Sequence, residues 1–519
     1  MSKKGIRLQY GGFIIFGGQL IGVVTGLIFT LLLTRSMTLA QYGIWTNIFD
    51  YIAYFNLFSG LLPFWATRFV AREKEGTIKT STLAQLMMAL VLMSVYFPAI
   101  VLISRAIGTQ VYLLIYLISG FYILAFYMIN IFENILQPIK PQALGYGFLI
   151  EETVKVTVAL VLILGFKQLF LGAILALVLS CFVQISYYVW LLREKFTEKI
   201  NWEYLKEWFK GSLAIAYNAI GNQLMTFALI LLFLYGGPDT RAYYQGAASF
   251  TVIIGYSISL SIVLYPKLLS NSCTDEQVGT SFRTVMMLAI PLATITMVMS
   301  FSFLTVLKAA YGVAWPVLIA LSIDTIINLL TSFYSNCVMG VERFDAEGKI
   351  SIRQLVRSKI FQVFTIPYIQ AAIALPLAYF VLTRLPIAGS VQAALYIVGI
   401  LIAVHLSTFI GLYWFMHHSI KIPVAWMSIA KFVFAAILMT GILLLIPTTS
   451  TLLSTIAKAI GGFGIYVIIL LAIDNQARKL VRLIWEEIKG SIAQLTYKGN
   501  NGDNGNELSG KNGLNATQD

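Results

Sequence analysis

Charge is what this chain has least of. Only 11% of its 519 residues are Asp, Glu, Lys or Arg, where soluble domains carry about 25%, so a water-soluble fold is excluded. Carboxylates are the scarcer sign, 23 Asp and Glu against 36 Lys and Arg. Cysteine is almost absent. Cys181, Cys273 and Cys337 are too few and too scattered for a disulfide framework or a thiolate metal centre, and they read as small packing residues. Signatures of soluble-enzyme chemistry are also missing: there is no Walker A loop, His-Glu-x-x-His, Cys-x-x-Cys or Gly-x-Ser-x-Gly elbow. Neither an enzyme with a recognisable catalytic motif nor a resident metal or cofactor is expected.

What fills the chain instead is apolar sequence, 58% of all residues, with a mean hydropathy of +0.81. Runs of the length that crosses a hydrocarbon core, roughly 20 residues, recur between short charged links. They predict an all-α polytopic membrane protein with about fourteen spans, near 9–34, 44–67, 83–104, 111–132, 146–166, 169–192, 211–235, 244–265, 284–307, 314–340, 360–382, 388–416, 428–447 and 454–473. The formal charge of +13 lies in the links rather than in one patch, a topological pattern that does not suggest nucleic acid. With the amino terminus in the cytoplasm, inner segments collect 28 of the 36 Lys and Arg and outer links 7, Lys155 being the remaining one. That bias is the positive-inside rule, and it puts both termini in the cytoplasm of a multi-pass plasma-membrane protein. The basic head Met1 to Arg7 precedes a run too long for a signal h-region, so the segment is expected to be retained.

Organisation follows from the longest charged link, Arg193 to Lys210. Its Trp202, Leu205, Trp208 and Phe209 recur at helical spacing, the pattern of an amphipathic connector on the inner surface. It separates an N-lobe (1–192) from a C-lobe (211–418), with the last two spans in 419–474. Residues 475–498 read as a second surface helix, with Val481, Ile484, Trp485, Ile488, Ile492 and Leu495 opposite Arg478, Lys479, Arg482 and Lys489. The Asn/Gly-rich tail 499–519 lacks the apolar residues to fold. An internal echo supports two lobes: Gly17-Gly18-Gln19-Leu20 matches Gly221-Asn222-Gln223-Leu224, and Tyr42-Gly43 matches Tyr243-Tyr244-Gln245-Gly246. Units of six spans face the same way, so the lobes would be related by a pseudo-two-fold along the membrane normal.

The stretch Gly17 to Glu75 carries a resemblance. An apolar helix, Arg35, a short link with Tyr42-Gly43, a second helix and a basic exit (Arg68, Arg72, Lys74) resemble the opening of the Wzx-type polysaccharide flippases of the MOP superfamily, which also holds lipid II flippases and MATE exporters. The six-plus-six-plus-two arrangement and Gly145-Tyr146-Gly147 leading into the fifth span extend the likeness over nearly all of residues 1–473. The resemblance implies alternating-access transfer of a polyprenyl-phosphate-linked saccharide from the cytoplasmic to the outer leaflet. It further implies a monomer, with membrane lipids and the glycosyltransferases or polymerase of the same pathway as partners. Lipid II flippases carry several arginines in the first two helices, whereas here only Arg35 and Arg68 are present, both at ends. Murein precursor therefore ranks below another saccharide lipid as cargo.

Charges within spans cost on the order of 3 kcal/mol each and require a partner or a purpose. Lys155 has Glu151 and Glu152 on its own helix face, and either these neutralise it or it meets a substrate phosphate. Asp324 has no charge within two turns of its helix, as a proton or Na⁺ coupling site or a partner for a basic residue elsewhere would require. His405 reads as a packed, hydrogen-bonded side chain and Asp50 as an interface residue. Gln19, Asn222 and Gln223 place amides at equivalent points of the two lobes, for sugar hydroxyls in a central, mildly basic cleft or for interhelical bonding. Arg35 and Arg241 sit at the outer mouths, where a pair of guanidinium groups suits a diphosphate and single ones anchor at the interface. Two other classes compete. A MATE-like H⁺- or Na⁺-coupled exporter would, by resemblance, need a carboxylate in the first, seventh or eighth span, and none holds one. A non-transport scaffold in envelope assembly would leave the buried polar residues without a purpose.

Overall fold

A computed structural model describes residues 22, 24–261, 275–341, 359–386, 389–417, 425–475 and 477–478. Gln19, Cys273, the basic head and both segments beyond 478 lie outside the described residues. Among those described there are seventeen helices and no strand. The first, α1, is described from Val24 to Ser36. Next come α2 (Leu39–Phe55), α3 (Leu61–Ala71), α4 (Thr77–Ala106), α5 (Leu113–Ile139), α6 (Gln142–Ala159), α7 (Leu169–Leu192), α8 (Glu203–Gly211), α9 (Leu213–Gly236) and α10 (Pro238–Gly255). The rest are α11 (Asp275–Val298), α12 (Ser300–Leu307), α13 (Trp315–Val341), α14 (Lys359–Arg384), α15 (Ser390–His417), α16 (Trp426–Leu445) and α17 (Leu452–Ile473).

Ten of these are long and apolar enough to cross a membrane: α4, α5, α7, α9, α11 and α13 to α17. Helix is the natural state here because every backbone N–H must find its acceptor within the segment. The chain is a polytopic, all-helical membrane protein. Four of the fourteen expected spans fall outside the ten, and two of those carry charged side chains, the second with Asp50 and the fifth with Glu151, Glu152 and Lys155, while the helix that covers the start of the eighth, α10, also carries the buried Arg241.

The second expected span is broken into α2 and α3. Thr38 starts α2 with a capping box, its hydroxyl accepting from the Gln41 backbone while the Gln41 amide oxygen accepts from the Thr38 N–H. The helix stops at Asn56, and the turn before Gly60 exposes carbonyls that hydrocarbon could not satisfy. Protein donors replace water: Gln85 of α4 donates to Ser59 O at 2.8 Å, and Tyr127 of α5 donates to Phe55 O at 2.8 Å. A break at membrane depth persists because these two side chains complete it.

The first and second halves of the described chain join mainly along α2 and α10, with α9 also against α2. Within the second half α9 packs on α14, α13 on α15 and α11 on α16. The last two helices are tied to α11 by ions, since Asp474 accepts from Arg283 and, at 3.2 Å, from Lys431. Tyr466 adds a 2.9 Å bond to Met287 O. The connector departs from expectation. In place of a stripe lying wholly on lipid, α8 turns Trp208 inward, where it is fully buried edge-on against Phe69, while Trp202 and Phe209 are exposed. Short bonds fix it to the first half: Trp65 Nε1 to Ser212 Oγ at 3.0 Å, Gly76 N–H to Glu198 at 2.7 Å and Asn201 N–H to Thr80 Oγ1 at 2.9 Å.

The two echoed Tyr-Gly motifs meet in space. Tyr42 of α2 and Tyr243 of α10 both pack edge-on against Tyr311, at centroid separations of 6.2 and 6.1 Å. Gly43 lies against the first residue of α10, where an added Cβ would fall 1.9 Å from Pro238 O. No side chain fits between those backbones. Gly26 of α1, by contrast, has open space around its Cβ position. Gly43→Ala should therefore destabilise the detergent-purified protein by about 1–3 kcal/mol through overpacking, read as a lowered thermal midpoint. Gly26→Ala should leave the midpoint unchanged or slightly raised.

Candidate functional site

The polar residues expected within the membrane are brought together as bonded groups rather than as one lining. The first joins α2 to α10. Arg241 is only 2% exposed, and its Nε and one Nη contact the two Asp50 oxygens, each at 2.8 Å. Its other Nη donates to Gln245 Oε1 at 3.0 Å, and the guanidinium carbon lies 5.6 Å from the Tyr244 ring centre. This corrects the placement of Arg241 at an open mouth for a diphosphate. Its donors are spent on Asp50, and Asp50 is one half of an ion pair rather than an interfacial residue. The pairing spans the halves and was invisible in sequence, since the partners are 191 positions apart.

Arg35 likewise does not pair with Arg241. Its Nε and one Nη donate to Val306 O at 3.2 and 2.8 Å, at the end of α12. The exchange is reciprocal: Lys308, just beyond α12, donates to Met37 O at 3.0 Å, just beyond α1. Each cation caps carbonyls at the other helix's carboxyl end, where the helix dipole favours positive charge. Arg35 itself remains exposed.

The second group lies on α6. Lys155 is buried, 2.6 Å from Glu152 and 3.5 Å from Glu151, and the Thr25 hydroxyl of α1 donates to Glu152. The contacts of Lys155 are thus with the two carboxylates of its own helix. The third group joins α13 to α15. Asp324 is 2.7 Å from His405 Nδ1, and Asn328 bridges them at 3.2 Å to Asp324 and 3.0 Å to His405. Asp324 is thus not alone, although its partner sits on another helix.

The amides are less tightly held. Asn222 is exposed, its amide donating to Asn218 O at 3.0 Å. Gln223 donates to Thr226 Oγ1 at 2.7 Å, and its backbone carbonyl accepts from Tyr54 of α2 at 3.3 Å. Sequence reasoning missed Glu133. With the fourth span ended at 132, Glu133 counted as part of a link, but α5 continues to Ile139 and carries it inside. There it faces a cavity of about 370 Å³ together with Glu151 and Gln184. The charged side chains of that lining are both carboxylates, and the cavity lies within the first half rather than between the halves.

The family of polysaccharide biosynthesis proteins matches residues 8–272, half of the sequence. This chain belongs to that family. No curated protein matches it closely enough to add to that assignment. Among solved structures, a lipid II flippase MurJ in an inward closed conformation aligns with a TM-score of 0.64 at 14% identity, over 90% of this chain and 100% of the flippase. A MATE transporter in complex with MaL6 aligns at 0.54 and 14%, over 80% of this chain and 96% of its own. A MOP superfamily transporter from Pyrococcus furiosus aligns at 0.53 and 14%, over 80% and 95%. At such identities the likeness is one of fold, and this polysaccharide biosynthesis family member has a fold similar to that of these transporters.

Removing one member of a buried ion pair leaves a charge stranded, typically at a cost of about 3–5 kcal/mol. Asp50→Leu and Arg241→Met should each lower stability by that order in chemical unfolding of the purified protein. The double variant should recover most of the loss. Simple additivity of the two losses would show that the pair is not coupled.

Proposed function

We propose that this chain is a flippase that carries a polyprenyl-phosphate-linked saccharide from the cytoplasmic to the outer leaflet of the plasma membrane, for assembly of a surface polysaccharide. One conjunction carries the reading: a polysaccharide biosynthesis family member has a membrane fold that superposes on the whole length of a lipid II flippase. No bond is made or broken. The protein lowers the cost of taking a polar headgroup through hydrocarbon, which for unpaired hydroxyls and charges is prohibitive.

On this reading residues 1–192 and 211–418 rock against each other about the α2–α10 seam, with both termini cytoplasmic as the Lys/Arg distribution requires. Gln19, Asn222 and Gln223 are assigned to sugar hydroxyls, and of the two that are described Asn222 is exposed and Gln223 half-buried. The polyprenyl tail stays in lipid. The chain acts as a monomer, taking its substrate from glycosyltransferases and handing it to a polymerase. Coupling is assigned to a proton at Asp324 and His405, a carboxylate and an imidazole from two helices that bond each other directly.

Reconstitution with a fluorescent polyprenyl-linked sugar tests the assignment. Wild type should move the label between leaflets, faster under an imposed proton gradient. Asp324→Asn or His405→Asn should lose at least tenfold of the rate and all response to the gradient. Efflux of organic cations with no movement of lipid would replace this reading by that of an exporter. The Arg35–Val306 and Lys308–Met37 bonds should hold the outer ends of the halves together. Arg35→Gln with Lys308→Gln should therefore raise, several-fold, the rate at which an impermeant maleimide labels Ser36→Cys.

A further inference from the structure

The last two helices close on α11 through one carboxylate that serves two cations. Asp474, just past α17, is 3% exposed, and it accepts from Arg283 of α11, from Lys431 of α16 at 3.2 Å and from the Ala477 N–H at 3.2 Å. Among the described residues no second carboxylate pairs with either cation. Arg283 also keeps a buried Nε without an acceptor. Arg478, one turn beyond Asp474, is exposed and contacts the Ala472 carbonyl at 3.4 Å. Positive charge and hydrogen-bond donors are thus in excess where these three helices meet, and such an excess beside hydrocarbon calls for an anion.

A second observation says what carries the anion. On α16, Lys431 stands between two kinds of surface. Trp426 lies five residues before it, about 7.5 Å along the helix axis, and is 70% exposed. An indole so exposed at the start of a spanning helix marks the headgroup level. Just beyond Lys431, the side chains of Val433, Phe434, Ile437 and Leu438 are exposed, and around a spanning segment that exposure is to acyl chains. Lys431, its side chain 32% exposed, therefore sits at the depth where the phosphate of a phospholipid joins its chains. A free anion would leave the apolar face of α16 unused.

We propose that an anionic phospholipid of the surrounding bilayer, distinct from the transported lipid, binds where α11, α16 and α17 meet. Its phosphate lies on Lys431 and Arg478 and its chains along the exposed face of α16. Arg283, the more buried of the two cations on Asp474, stays with that carboxylate, which leaves Lys431 able to turn its ammonium to the phosphate. The headgroup balances the surplus charge and strengthens the tie of the last two helices to α11. On the orientation proposed above, this end faces the cytoplasmic leaflet, and the sequence beyond the described residues continues the same sign with Lys479 and Arg482. The leaflet rests on that reading; the site does not.

Titration of the purified full-length protein in neutral detergent with dioctanoyl phosphatidylglycerol tests this, read by native mass spectrometry and by the thermal midpoint, with dioctanoyl phosphatidylcholine as the zwitterionic comparison. The expected result is saturable binding of phosphatidylglycerol, at least tenfold tighter than that of phosphatidylcholine. Lys431→Gln with Arg478→Gln should weaken it at least tenfold and abolish the lipid-dependent rise in midpoint. Lys140→Gln with Lys206→Gln removes the same charge from two other exposed lysines and should leave binding unchanged. Should the Lys431 and Arg478 double variant fail to elute as a monodisperse species, Arg478→Gln decides alone, with an expected loss of at least threefold. Equal affinity for the two lipids would overturn the proposal, as would undiminished binding in the deciding variant or an equal loss in the Lys140 and Lys206 variant. Full competition by inorganic phosphate would overturn it too, meaning that a free anion fills the role. The titration uses no lipid-linked saccharide, so its failure leaves the flippase reading standing, and failure of lipid transfer leaves the phospholipid site standing.

Discussion

The bidentate contact between Asp50 and Arg241 is the constraint on which the rest of the structure turns. Bringing a carboxylate and a guanidinium out of water is costly, and the cost is recovered only when the two meet with all their oxygens and protons occupied. Here the partners come from α2 and α10, one from each half of the chain, and a third donor bond to Gln245 completes the fork. Around it the close approach of Gly43 to Pro238 and the shared Tyr311 against Tyr42 and Tyr243 repeat the same demand in apolar terms. The seam has a definite register because its polar and apolar contacts agree.

Elsewhere the same rule is applied locally. Where α2 stops short of α3, Gln85 and Tyr127 stand in for water. Where α1 and α12 end, Arg35 and Lys308 are exchanged between them. The second half closes its buried carboxylates against His405 on one side and against Arg283 and Lys431 on the other. The first half is left with an acidic surplus around the α5–α7 cavity. Cation-to-carbonyl bonds at helix ends are easier to exchange than the buried pair at the seam.

Much of the architecture was legible in the sequence because bilayer thickness sets segment length directly. Thirteen of the expected spans correspond to described helices or helix pairs, and the first to a helix described from Val24. The Tyr-Gly echo marked a real contact, since only glycine admits a second backbone at that distance. The candidate site was less legible. Lys155 and Asp324 were rightly singled out as buried, but Arg241 was placed by its distance from a turn, which says nothing of where a long side chain reaches. Glu133 escaped notice through a span boundary drawn a few residues short, and Trp208 was assigned to lipid although Phe69 covers it.

By itself, then, the order of residues determined the solvent of this protein, its all-helical class and the rough limits of most of its long apolar helices. Each of those depends on hydrophobicity summed over a local window, a property the chain carries before it folds. Which buried groups pair was decided only in three dimensions. Asp50 finds Arg241, Asp324 finds His405 and Arg35 finds Val306 O because helices distant in sequence are pressed together, and a charge in hydrocarbon is governed by what lies within a few ångströms of it.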